Sequence, residues 1–110
     1  MAADVRAPDA ALLERERVVR ELRAHEADLH ALGVARLWLF GSVARGDARP
    51  DSDVDMLIDI IPGRKFSLLD LAEVRLALCD LLGREAGVAI REDLRPRFRD
   101  TIADDLIEIF

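Results

Sequence analysis

Asp53 and Asp55 stand two residues apart where an apolar run begins, in Ser52-Asp53-Val54-Asp55. On an extended segment, side chains two positions apart share a face. Both carboxylates therefore point the same way, as hard oxygen donors of the kind Mg2+ prefers. An earlier apolar run, Leu37 to Phe40, stops abruptly at Gly41-Ser42. Glycine lets the backbone come close to a ligand, and the N–H groups of a turn after a strand can bind phosphate together with the Ser42 hydroxyl. Arg45 follows Ser42 by three positions, so in a helical turn the two project to one side, where a guanidinium can contact phosphate. The chemistry is that of a nucleoside triphosphate with its divalent metal. Each feature alone has a plainer explanation: a simple Gly-Ser turn, an Asx turn at Asp51-Ser52, a strand-end cap at Asp53. Together, between two apolar strands, they point to a site, because two carboxylates so close beside apolar residues call for a cation.

These residues need two strands and a turn to hold them. Arg36 to Phe40 predicts a first strand, buried on both faces because its residues do not alternate, with Trp38 and Phe40 in the core. Ser42 to Gly46 predicts a helical turn, Ala48 to Ser52 a loop, and Val54 to Ile61 a second strand ended by Pro62-Gly63. Ahead of them, Leu12, Val18, Val19, Leu22, Leu29 and Leu32 recur at helical spacing and predict one helix from Asp9 to Leu32, with Asp9 as its N-cap and Gly33 beyond its end. The expectation is a short flexible lead over residues 1–8 and a single domain over residues 9–110. His25 lies on the apolar stripe and His30 away from it, a spacing unsuited to a shared metal, so each is a packing or surface residue.

Ser67 opens a further helix with Asp70 as an approximate capping box, running to Leu82 with Gly83 at its end. One stripe holds Leu68, Leu71, Val74, Leu78, Leu81 and Leu82; another holds Leu69, Ala72, Leu76 and Cys79. A helix apolar nearly all round is buried on two sides. Either sheet and first helix cover both stripes, or the second stripe serves a partner chain, in a homo-oligomer or hetero-oligomer. Cys79 reads as a small buried hydrophobe. Ala86 to Ile90 predicts a third strand. Pro96 suits the first turn of a last helix whose apolar face is Phe98, Ile102, Leu106 and Ile109. Arg91, Arg95, Arg97 and Arg99 read as a solvated basic face.

At 110 residues the chain makes one domain. With 51% apolar and 35% charged residues it has the composition of a folded α/β protein. A net charge of −6 disfavours direct nucleic-acid binding. The one cysteine forms no internal disulfide, and no apolar run approaches the ~20 residues of a membrane span. The expectation is a cytoplasmic protein with no membrane association.

The segment GSVARGDARPDSDVDMLID resembles the Gly-Ser…Asp-x-Asp signature of the DNA polymerase beta-like nucleotidyltransferase superfamily. It is most similar to the minimal nucleotidyltransferase (MNT) domains, a resemblance that extends to FSLLDLAEVRLALCDLLGREAGVAI and the following EDLRP. The resemblance implies an α/β (α+β) fold, a small mixed sheet flanked by helices. It implies phosphate-binding roles for Gly41 and Ser42, metal-ligand and catalytic roles for Asp53 and Asp55, and a matching nucleotide-site position for Arg45. Mg2+ and ATP are the implied cofactor and substrate. The implied partner is a HEPN-type ribonuclease toxin, which some MNT antitoxins neutralise by transferring AMP from ATP to a toxin tyrosine.

One position departs from the pattern. Family members commonly carry a third Asp on the next strand, where this chain has Ala89 in Gly87-Val88-Ala89-Ile90-Arg91. Alanine offers neither a metal ligand nor a base for the attacking hydroxyl. Asp59, four strand residues past Asp55, is about 13 Å away, and Glu92 or Asp93 reaches in only if the loop bends. Three functions stay open: an adenylylating antitoxin, a nucleotide- and partner-binding module that has lost its chemistry, and a small-molecule enzyme similar to the aminoglycoside-modifying branch. The last has little room here for a substrate domain.

Overall fold

The two apolar runs flanking the Gly-Ser turn pair with each other. In a computed structural model of the chain, which describes residues 7–110, β1 (Val34–Phe40) and β2 (Val54–Ile60) are antiparallel neighbours. β3 (Ala86–Ile90) lies parallel to β2, and β4 (Ile107–Glu108) lies antiparallel to β1. The result is a mixed sheet of order β3-β2-β1-β4, accompanied by α1 (Ala7–Ala24), α2 (Glu26–Ala31), α3 (Gly41–Arg45), α4 (Leu68–Leu82) and α5 (Pro96–Ile102). This is the small mixed sheet flanked by helices that was expected.

Register sorts the strand residues onto two unlike faces. Leu37 pairs with Ile58 and Leu39 with Met56 on one face. All four are buried in one core with Val18 and Leu22 of α1 and Val74 and Leu78 of α4. The other face carries Arg36, Trp38 and Phe40 opposite Asp59, Leu57 and Asp55. There Arg36 is exposed and Trp38 and Phe40 are only half-buried. Burial of β1 on both faces is therefore corrected: α1 and α4 pack against one face alone. The aromatic rings are covered by single side chains instead. The Arg91 guanidinium lies 4.6 Å over the Trp38 ring, and Phe98 meets Phe40 edge-on at 6.1 Å.

Three helix expectations also change. The single N-terminal helix is broken at His25, whose backbone (φ −109, ψ 22) leaves the helix before Glu26 starts α2. The His25 Nδ1 donates to the Glu21 carbonyl at 2.9 Å, and the bend lets α2 bury Leu29. α1 begins at Ala7, which puts Asp9 inside the helix instead of at its cap. The rest of the expected lead, residues 1–6, lies outside the described residues. His30 donates from Nδ1 to the Val34 carbonyl at 2.6 Å, so both histidines serve the backbone.

At the other end, the last helix stops at Ile102 and does not reach Ile109. Ile107–Glu108 returns instead as β4, and the pairing continues just past it: Ile109 donates to the Leu37 carbonyl at 2.8 Å, and Leu37 donates to the Phe110 carbonyl at 3.3 Å. Backbone groups along the free edge of β1 need partners, and that requirement outweighs the helical spacing.

α4 has the expected ends, with a Ser67–Asp70 capping box and Gly83 in the left-handed region at φ 66. Its burial is one-sided. Val74, Leu78 and Leu82 are buried, but Leu68, Leu69 and Leu76 are 84%, 77% and 54% exposed. Nothing within the described chain covers the Leu69-Ala72-Leu76 stripe.

Candidate active site

β1 delivers the Gly-Ser turn directly beside the Asp-x-Asp strand. Phe40, the last residue of β1, pairs with Asp55, and α3 starts at the next residue, Gly41. Gly41 adopts φ +80, and a Cβ there would lie 2.6 Å from Asp55 Oδ2. Glycine is thus required twice, for its conformation and for the close approach. On the opposite side Gly87 of β3 is in register with Asp55, where a Cβ would stand 3.2 Å from Oδ1. The Asp55 carboxylate therefore occupies a slot between two glycines.

Ser42 follows on the first turn of α3, half-buried, and Asp53 is exposed just ahead of β2. The Asp55 carboxyl is pushed above the usual carboxylate range, chiefly by burial and then by the charge of Asp53, with Arg45 opposing. A partly buried carboxylate facing a second one is relieved by a cation. Gly41, Ser42, Asp53 and Asp55 are accordingly gathered at one corner of the sheet. Arg45 is near enough to act on Asp55, but its guanidinium donates to Asp105 at 2.9 Å and Asp47 at 3.3 Å.

The third carboxylate is missing in space as well as in sequence. Ala89 pairs with Leu57, two positions along β3 from Gly87, on the face that presents Asp55. Asp59 is engaged elsewhere, accepting two bonds of 2.9 Å from Arg91. Glu92 and Asp93 sit exposed in a 3-10 turn past the strand. Among the described residues, no three His, Cys, Asp or Glu side chains converge as a metal cluster. Asp53 and Asp55 fit a Mg2+ ion as two of its oxygen ligands.

Two residues escaped the sequence reading. Gly87 flanks Asp55, and its signal was a glycine inside a strand, which often marks close approach. Arg84 touches the loop before Asp53, and its only signal was its place after the helix-ending Gly83.

Comparison with known proteins gives the family and the fold. Residues 15–109 match the family "Nucleotidyltransferase domain". The protein adenylyltransferase MntA of Thermococcus cleftensis is 33% identical over 102 residues, covering 90% of this chain and 99% of its own. A solved minimal nucleotidyltransferase is 39% identical with a TM-score of 0.63, covering 81% of this chain and 93% of that one. A toxin–antitoxin structure with AMP-PNP has the same fold, with a TM-score of 0.63 at 14% identity over 87% of this chain and 72% of that one. The fold is that of a nucleotidyltransferase. The chain belongs to the nucleotidyltransferase domain family and is a homologue of the MntA-type protein adenylyltransferases.

Proposed function

We propose that this chain is the antitoxin of a toxin–antitoxin pair and that it neutralises a HEPN-family ribonuclease toxin by transferring AMP from ATP to a toxin tyrosine. The observation that carries this reading is the Asp55 carboxylate seated against Gly41, with Ser42 and Asp53 beside it. It is supported by homology to a protein adenylyltransferase and by the toxin–antitoxin assemblies that share the fold. In the reaction, the tyrosine oxygen bonds to the α-phosphorus, the α–β phosphoanhydride breaks, and pyrophosphate leaves with that bond's electron pair. Gly41 and Ser42 bind and orient the triphosphate, with Arg45 available once it leaves Asp47 and Asp105. Asp53 and Asp55 would hold Mg2+, which when bound neutralises phosphate charge. No carboxylate at position 89 takes the tyrosine proton, so it passes to solvent.

Ala89 favours a second reading, a binding module that neutralises its toxin stoichiometrically. Incubation with the toxin, Mg2+ and ATP, followed by mass spectrometry, separates the two. AMP should appear on a toxin tyrosine, and Asp53→Asn should reduce it by ~10²-fold or more. Tight toxin binding without added AMP would leave only the binding module. Robust transfer to aminoglycosides or small alcohols by the protein alone would overturn both.

The toxin-facing surface in this proposal is the exposed Leu69-Ala72-Leu76 stripe of α4. Contiguous apolar helix faces of this kind mark protein contacts. Leu69→Glu and Leu76→Glu should each weaken toxin binding by ~10-fold or more in calorimetry, with circular dichroism unchanged. Loss of folding, or unaltered binding, would remove the stripe from the interface.

A further inference from the structure

Arg84 is the first residue after the left-handed Gly83 that ends α4, and its side chain is only 12% exposed. Its Nη1 donates to Glu14 Oε2 at 2.6 Å. Its Nη2 donates to the Ser52 carbonyl and reaches the Arg49 carbonyl at 3.5 Å. Ser52 immediately precedes Asp53. On the other side of Asp53, Val54 donates its N–H to the Glu85 carbonyl at 3.0 Å. The two neighbours of Asp53 are thus held by consecutive residues of one short segment.

Little else anchors that loop. Ser52 N–H donates to the Arg49 carbonyl at 3.0 Å, and Arg49 N–H donates to Ser52 Oγ at 3.0 Å, while Arg49, Pro50 and Asp51 are exposed. The clamp is itself braced. Arg17 grips Glu14 with two bonds of 3.0 Å and donates to the Leu82 carbonyl at 3.3 Å. Arg17 chiefly, with Arg84 and against burial, holds the Glu14 carboxyl down to about 2, so the network stays charged across the working range of pH. A guanidinium suits this place because its rigid fork can serve a carboxylate and a carbonyl at once, whereas an ammonium is a point donor.

We propose that Arg84 is a positioning residue of the nucleotide site: braced by Glu14, it clamps the Ser52 carbonyl and fixes how Asp53 presents its carboxylate beside Asp55. The proposal rests on the nucleotide–metal reading of Asp53 and Asp55. Misplacing a ligand by about 1 Å is enough to cost a site much of its function.

The test is calorimetric titration with Mg·ATP at a temperature where every variant is folded, alongside thermal unfolding. Arg84→Ala should weaken Mg·ATP binding by ~10-fold or more, the usual range for a residue supporting a metal ligand. Arg84→Lys keeps Glu14 paired, so it should recover most of the lost Tm but not the affinity. Leu78→Ala, a core truncation, should lower Tm and leave affinity within ~2-fold of the parent. Equal affinity of Arg84→Ala and parent would overturn the proposal, as would parallel recovery of Tm and affinity in Arg84→Lys or an equal affinity loss in Leu78→Ala. Should Arg84→Ala not fold, Arg84→Lys decides alone. A parent chain that binds no Mg·ATP would instead overturn the site reading, and Arg84's role with it.

Discussion

Replacing Ala89 by aspartate is expected to raise AMP transfer to the toxin by ~10²-fold or more, the range a positioned base supplies. Ala89 shares with Gly87 and Asp55 one face of the β2–β3 pair, since Gly87 registers with Asp55 and Ala89 with Leu57. Diagonal neighbours on one sheet face lie roughly 7–8 Å apart at Cα, so a carboxyl at position 89 can lean toward Asp55. Ala89 is only half-buried, which leaves room for the added atoms. The new carboxylate would be the third of a cluster whose second member, Asp55, already resists ionisation through burial and the charge of Asp53. Without metal the variant should therefore unfold at lower temperature than the parent. With Mg2+ the order should reverse, because the cation binds the folded cluster and stabilises it by mass action. Single-turnover transfer from labelled ATP measures the gain, and thermal unfolding with and without Mg2+ measures the linkage. No gain in transfer and no larger Mg2+-dependent rise in Tm would return the protein to the stoichiometric binding module.

The candidate site is legible in the sequence because its signals are local. Gly41 and Asp55 belong to one strand–turn–strand unit, and a short motif determines the residue types, the turn and the shared face of Asp53 and Asp55. The same holds for the ends of α4, where Ser67, Asp70 and Gly83 announce their caps by type and spacing. What was misread depends on partners distant in sequence. Ile109 fits a helix by spacing, yet it lies against β1 because Leu37 offers an unpaired backbone edge. Trp38 and Phe40 look like core, yet their face of the sheet is covered only by Arg91 and by Phe98 of the short α5, and not by α1 or α4. The second stripe of α4 was open to two explanations, and only the layer count of the finished fold leaves Leu69 and Leu76 exposed. Arg84 is the furthest case: its contacts with Glu14 and Ser52 span 70 and 32 positions, beyond the reach of any periodicity.

Gly41→Ala should weaken Mg·ATP binding by ~10²-fold, the scale associated with small displacements of aligned groups, and lower stability by about 1–3 kcal/mol. Two effects combine. At φ +80 an L-residue costs about 1–2 kcal/mol from contact of its Cβ with its own backbone. The added Cβ would also stand 2.6 Å from Asp55 Oδ2, so either the carboxylate rotates or the turn moves away from β2. The carboxylate's other oxygen, Oδ1, faces Gly87, where an added Cβ would stand 3.2 Å away. The two effects can be separated by Gly63→Ala. Gly63 has φ +81 and nothing within 4 Å of a Cβ, so it carries the backbone cost without the contact. Gly63→Ala should lose about 1 kcal/mol in urea unfolding and bind Mg·ATP as the parent does. Equal binding by Gly41→Ala and Gly63→Ala would mean that Asp55 is not held for a ligand in the slot between Gly41 and Gly87. A selective loss at Gly41 would tie that slot to the nucleotide.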